Sequence, residues 1–312
     1  MNVENSVPDI SFPNLGINFS SVPRYFIGND PEVSLIYIAR FPLNIYMYAV
    51  SILIAITLAA LLGFWSAKKS GQKVDDYVDL LVVGVILAFI GLRAYYLIFN
   101  WNQYSGQNFL RVFFLDIRSG GLAIYGGIIG AAVAAMIMSA RKNIPFSLMA
   151  DTGAPSMLLG QSIGRWGNFF NREAFGGYSD GMFAMRIRLD QARHVTEELL
   201  NTAVVRVGDV DYLQVHPTFL YESVLNFILM VGLLIYRPKK KFGGEILLLY
   251  FLGYGIIRFF VEGIRTDQMI LMNTGLPLNQ VTAVLFALVS AALLIAGYMR
   301  SGKSIEIRRR RK

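Results

Sequence analysis

The chain has 312 residues, 54% of them hydrophobic and 16% charged, with a net charge of +8. Soluble domains average about 45–50% apolar and about 25% charged, so the composition excludes a soluble globular enzyme and a disordered chain. The absence of Cys excludes a disulfide scaffold, thiolate metal ligands and a Cys nucleophile, and two His, His194 and His216, are too few for a His-rich zinc site.

Residues 1–42 read as a polar arm with scattered Pro and Asn. No basic stretch leads into an apolar run there, so the arm is not expected to be a cleaved signal peptide. Apolar blocks then follow at about 43–65, 78–99, 121–140, 148–170, 219–236, 244–261 and 276–299. Each is close to the 20 residues that cross a bilayer as a helix. The fourth is the weakest, because it carries Asp151 and Arg165. The expected fold is an all-α polytopic membrane protein of about seven transmembrane helices. The stretch 171–217 is too long for a plain connection. It alternates apolar and polar at 183–189 and again at 204–207, which predicts short strands in a small α/β head. The expected organisation is an arm (1–42), a transmembrane domain (43–299) with the head inserted at 171–217, and a basic tail (300–312).

Charge predicts orientation. Lys68, Lys69 and Lys73 follow the first block, Arg141 and Lys142 the third, Arg237 and Lys239 to Lys241 the fifth, and Arg308 to Lys312 the seventh. These segments alternate with the remaining loops, so all fall on one side, the cytoplasmic one. The arm and head are then extracytoplasmic and the C-terminus is inside. The basic tail reads as a positive-inside anchor, not a nucleic-acid site.

Ionisable groups inside apolar helices are costly and point to function. Arg165 and Asn168 share a helix face, and Asn171 extends it if the helix continues. A guanidinium fork suits a phosphate, and amides add neutral donors; a snorkelling Arg with a capping Asn is the structural alternative. Arg258, Glu262 and Arg265 form a second stripe at i, i+4 and i+7. The stripe is either a self-neutralising network or one Arg aimed at an anion with Glu262 orienting it. The glycines at 126, 127 and 130 suit close helix packing, which leaves the Tyr125 hydroxyl unexplained. His216 is a candidate acid–base group, although a helix-start cap explains it better. Gly160-Gln161-Ser162-Ile163-Gly164 has the G-x-S-x-G pattern of serine hydrolases but lacks the strand–turn–helix elbow, so helix packing explains it better.

Together these segments resemble the phosphatidylglycerol–prolipoprotein diacylglyceryl transferase family. The signature G-R-x-G-N-F-x-N-x-E-x-x-G is complete from Gly164 to Gly176, through Arg165, Gly167, Asn168, Phe169, Asn171 and Glu173. H-P-[ST]-x-L-Y-E matches at His216–Glu222, and R-x-x-x-E-x-x-R at Arg258, Glu262 and Arg265. Asp151 and Tyr46 also match, and order and spacing agree over most of the chain. One position departs: Tyr125 stands where the family often has His.

The resemblance implies a reaction in the bacterial plasma membrane. An sn-1,2-diacylglyceryl group passes from phosphatidylglycerol to the lipobox cysteine of a preprolipoprotein, forming a thioether and releasing glycerol phosphate. It implies Arg165, Arg258 and Tyr125 as catalytic candidates. Tyr46, Asn168, Asn171, Glu173, Gly176, Glu262 and Arg265 would bind or position substrate. No cofactor, metal or nucleic acid is expected. The alternative is a transporter or flippase for an anionic lipid or solute, using the same arginines without bond making. Inverted repeats or broken-helix symmetry would favour it, and the sequence displays neither.

Overall fold

The computed structural model describes residues 7–38, 44–104, 109–114, 121–271 and 274–310. Leu43, Ser119, Gly120, Arg311 and Lys312, which belong to the segments discussed above, lie outside them. In chain order the strands are β1 (Ile10–Phe12), β2 (Ile17–Phe19), β3 (Tyr25–Gly28), β4 (Ser34–Tyr37), β5 (Ile45–Tyr46), β6 (Met185–Arg188), β7 (Val204–Val207) and β8 (Val210–Val215). The helices are α1 (Met47–Lys69), α2 (Val74–Phe99), α3 (Trp101–Tyr104), α4 (Phe109–Phe114), α5 (Ile124–Lys142), α6 (Phe146–Gly164), α7 (Trp166–Asn171), α8 (Glu197–Thr202), α9 (Thr218–Tyr236), α10 (Glu245–Ile264) and α11 (Leu278–Arg310).

Six helices among the described residues are long and apolar enough to cross a membrane: α1, α2, α5, α9, α10 and α11. The protein is a polytopic membrane protein with a small sheet-containing region. The remaining expected span, 148–170, is helical but falls short on apolar content and is divided between α6 and α7 at Arg165. Asp151, Pro155 and Gln161 dilute it.

The chain divides into two compact units, one of Met1–Ala59 with Pro155–Lys312 and one of Ala60–Ala154. The second unit is built on α2 and α5, which cross at their glycines. A Cβ on Gly126 would lie 2.0 Å from the Gly91 carbonyl oxygen, and one on Gly130 2.1 Å from that of Leu87. No side chain fits there, so the packing reading of these glycines holds. Gly126→Val is expected to lower the thermal unfolding midpoint in detergent by forcing the helices apart, at a cost of about 1–3 kcal/mol or more. Gly84→Ala on the partner helix α2, with nothing within 4 Å, is the control and should be neutral or slightly stabilising. Arg93 is fully buried in this unit and donates to the carbonyls of Gly121 (2.9 Å) and Val112 (2.5 Å).

In the first unit, a five-stranded antiparallel sheet runs β2-β1-β6-β8-β7. β6 and β7 fall within the alternating runs read from the sequence. In β6 the period of two buries Met185 and Ile187 and leaves Arg186 and Arg188 half-buried. β7 and β8 form a hairpin whose two-residue turn needs the positive φ of Gly208. β1 and β2 come from the polar arm and were not expected. Ile10 pairs with Ile187, and Ile10 and Phe12 join a core with Phe169, Leu213, Val215 and Phe219. This core packs the sheet directly against α7 and the start of α9. The signature segment and the His216–Glu222 segment are thereby seated on one hydrophobic floor.

Candidate active site

All the groups described next lie in the first unit, except where stated. Arg165 stands at the junction of α6 and α7, and Glu222 one turn into α9. The Arg165 Nη2 is 2.7 Å from Glu222 Oε1. Arg258, on α10, places Nη1 3.1 Å from the other oxygen of the same carboxylate and gives Nη2 to Glu262, its i+4 neighbour. The carboxylates of Glu222 and Glu262 are 1% exposed. Asn279 donates to Glu262 at 2.8 Å, and Tyr254 donates to Glu222 at 3.4 Å. Two cations and two anions therefore alternate, Arg165–Glu222–Arg258–Glu262, across three helices. Arg165 keeps 24% of its side chain exposed and Arg258 13%. The carboxylates are sealed, while each arginine side chain keeps part of its surface exposed.

The chain after α7 turns sharply, with Arg172 (φ 54°) and Ala174 (φ 59°) both left-handed. These two residues swing Glu173 back over the helix. Its Oε1 accepts from Asn168 (3.2 Å) and from Asn171 (3.0 Å), so the two amides expected to share a face are gathered on one carboxylate. The strained backbone at Arg172 is held from the side chain. Its guanidinium donates to the carbonyls of Phe170 (3.2 Å) and Val22 (2.6 Å) and to Asp9 (3.3 Å). The N-terminal arm thus braces the signature segment.

Gly176 is where three segments meet. Its N–H donates to the His216 carbonyl at 2.9 Å, and it bridges to Arg265 just past the end of α10. A Cβ would lie 2.6 Å from the Ile264 carbonyl oxygen, so only Gly fits. Gly167 is similar, because a Cβ there would lie 2.7 Å from the Tyr48 ring. His216 lies just before α9, beside the Tyr221 hydroxyl (3.2 Å), and burial draws its imidazole below the usual range.

Arg265 leaves the expected helical stripe because α10 ends at Ile264. It turns to Asp267 and makes a two-pronged pair at 2.9 and 2.7 Å. Burial pushes the Asp267 carboxyl up, but the bonds and charge of Arg265 outweigh it and hold the group below its ordinary range. Tyr46, on β5, packs its ring 4.9 Å from Tyr25 and is 42% exposed. Tyr125 belongs to the second unit, at the start of α5, with its ring 6.3 Å from that of Tyr95. Ser162 lies within α6 and donates to the Ser223 carbonyl at 2.7 Å. That is a helix-packing contact, not a nucleophile elbow.

The model of the family described as prolipoprotein diacylglyceryl transferase matches residues 35–296. The chain belongs to the prolipoprotein diacylglyceryl transferase family. Proteins named phosphatidylglycerol–prolipoprotein diacylglyceryl transferase from Bacillus mycoides, Bacillus anthracis and Bacillus cereus are each 37% identical to it over 273 residues. In each case the match covers 86% of this chain and 94% of the relative.

In this member of the diacylglyceryl transferase family, the group that joins the two arginines is one that sequence reasoning left out of its candidates. Glu222 was visible at the end of the His216 segment. A carboxylate four residues into an apolar helix carries the same cost as Arg165, and that rule applied to Glu222 would have found it. Tyr254 and Asn279 gave no comparable signal, since neither carries a charge and the rule that singles out ionisable groups in apolar helices passes over them.

Proposed function

We propose that the chain transfers the sn-1,2-diacylglyceryl group of phosphatidylglycerol to the cysteine thiol of a preprolipoprotein lipobox, in the bacterial plasma membrane. The observation that carries this reading is the alternating Arg165–Glu222–Arg258–Glu262 array, set among apolar helices with sealed carboxylates and partly exposed arginine side chains. The thiol gives up its proton. Its sulfur attacks the glyceryl carbon that bears the phosphodiester, and a C–S bond forms as the C–O bond breaks. The electron pair leaves on the phosphate oxygen, so the products are a thioether and glycerol phosphate. Charge grows on the leaving phosphate, where preorganised cations are most effective. Arg165 and Arg258 supply them. Glu222, bonded to both, sets their spacing.

The donor already carries its leaving group, so the chemistry calls for no cofactor or metal. Asn168, Asn171 and Glu173 form a bracket that positions the phosphate end of the headgroup and the arginine side chains, with Gly176 fixing its backbone. Glu262 and Arg265 support from α10 and its end, and Tyr46 ends β5, just before α1. Tyr125 stands where the family often has His, and the thiol proton passes to it, to another group or to no single residue. Tyr125→Phe tests it, because near-normal turnover would remove it from that role.

The test of the reading is direct. Purified protein in liposomes with phosphatidylglycerol is incubated with a lipobox peptide, and the peptide mass is followed. A diacylglyceryl gain is expected only when the cysteine is present. Lipid movement across the liposome without any gain in peptide mass would favour the transporter alternative.

The proposed orientation places the N-terminus outside and the C-terminus in the cytoplasm. Because the chain has no native Cys, single cysteines at Ser20 and Ser304 report each side cleanly. An impermeant thiol reagent on intact cells should label the first and not the second. Labelling of both would show that the number of crossings between them is even.

A further inference from the structure

Beneath the two arginines, polar side chains continue into the apolar helices. Asn226 lies on α9 one turn beyond Glu222, on the same face. It is fully buried, and neither its amide nitrogen nor its amide oxygen has a partner. On α10, Tyr250 and Tyr254 stack with ring planes 3° apart. Tyr254 reaches Glu222, and the Tyr250 hydroxyl accepts from Gln161 Nε2 at 2.9 Å. The Gln161 amide oxygen is also buried and unpartnered. α9 and α10 are antiparallel, since Glu222 meets Tyr254 and Arg258 while Tyr236 meets Glu245. Gln161, Asn226 and Tyr250 each lie one helical turn deeper than Arg165, Glu222 and Tyr254, which meet at the Glu222 carboxylate.

Partnerless buried polar atoms are rare because they are costly, and both amide atoms of Asn226 with the amide oxygen of Gln161 point to a ligand group that satisfies them. We propose that Asn226, Gln161 and Tyr250 form a subsite for a hydroxyl-bearing substituent on the phosphate, which for the donor above is the leaving glycerol. This rests on the diacylglyceryl-transfer reading of the site. A hydroxyl both donates and accepts, as Asn226 requires with its nitrogen and oxygen both open. An ammonium headgroup only donates and would leave the Asn226 nitrogen unmatched. One helical turn is about 5.4 Å, a distance that a three-carbon polyol attached to the phosphate spans.

The experiment uses full-length protein in liposomes, a lipobox peptide, and two donors with identical acyl chains. One donor is phosphatidylglycerol. The other is phosphatidylpropanol, which has the same phosphodiester but no headgroup hydroxyls. The wild type should prefer phosphatidylglycerol in kcat/KM. Asn226→Leu should lower kcat/KM for phosphatidylglycerol by about tenfold or more, as expected when a site built for a hydroxyl loses its partner. Its rate with phosphatidylpropanol should be unchanged, so the preference collapses. If Asn226→Leu fails to insert, Gln161→Met keeps the side-chain length and tests the same subsite. An equal loss with both donors would show a structural role and overturn the proposal. A retained preference in the variants, or no preference in the wild type, would also overturn it. Transfer from neither donor by the wild type is a distinct result, which sinks the reading of the arginine site itself.

Discussion

Arg165→Lys should lower kcat/KM by about 2–4 kcal/mol, the loss typical when one donor to a developing anion is removed. This corresponds to roughly 30- to 1000-fold in rate. The substitution keeps the positive charge and loses the planar fork. In the structure one guanidinium nitrogen is committed to Glu222 at 2.7 Å while part of the side chain faces outward. A lysine ammonium can satisfy the carboxylate or reach a phosphate, but it cannot do both in the fixed geometry of the fork. Insertion and thermal stability should be nearly normal. Arg258→Lys should behave in the same way. The double substitution should lose less than the sum, because both residues act on one phosphate. If Arg165 merely snorkels, Lys will serve as well as Arg, and full turnover in both variants with folding confirmed would end the phosphate-clamp mechanism.

Glu222→Gln is the second large effect, and it falls on stability as well as rate. Glu222 is sealed, and both arginines rest on its two oxygens. Removing its charge leaves Arg258 with Glu262 alone and strips Arg165 of its only carboxylate contact among the described residues. Breaking a buried pair in this way costs about 3–5 kcal/mol, because a desolvated charge is left uncompensated. A lower unfolding midpoint in detergent is expected, with transfer activity lost. The diagnostic variant is Glu222→Gln combined with Arg165→Gln. Removing the orphaned cation should recover part of the stability but none of the activity. A double variant no more stable than Glu222→Gln alone would mean that the two side chains are not energetically coupled.

Much of this architecture was legible in the sequence, for identifiable reasons. Spans such as α1 and α2 declare themselves because a bilayer demands about 20 apolar residues with no internal break. The fourth span was harder, since Asp151, Pro155 and Gln161 belong to the interior of the protein and lower the apolar signal of α6. The strands β6 and β7 showed period-two alternation. β1 and β2 have only three residues each, too few for a period to register, so the contribution of the N-terminal arm to the sheet was hidden. The site was legible in its cations. Arg165 and Arg258 stood out as charges in apolar context, but the assignment of partners did not follow from spacing. Helical periodicity put Arg265 on the stripe of Glu262, whereas the helix stops one residue earlier and hands Arg265 to Asp267. Periodicity also could not place Asn168 and Asn171 on Glu173, because that contact depends on the left-handed turn at Arg172 and Ala174. Glu222 and Arg258 stand 36 residues apart on different helices, and they meet only through the antiparallel packing of α9 on α10, which no local spacing encodes.

The central claim is that sulfur attacks the glyceryl carbon and the phosphate departs with the bridging oxygen, stabilised by Arg165 and Arg258. The most direct measurement places oxygen-18 in the bridge between the diacylglyceryl carbon and phosphorus of phosphatidylglycerol, then follows the label by mass spectrometry during transfer to a lipobox peptide. Cleavage of the carbon–oxygen bond predicts that all of the label leaves in glycerol phosphate, with none in the modified peptide. Label retained on the diacylglyceryl group, or a phosphorylated peptide, would place the break at phosphorus and contradict the mechanism.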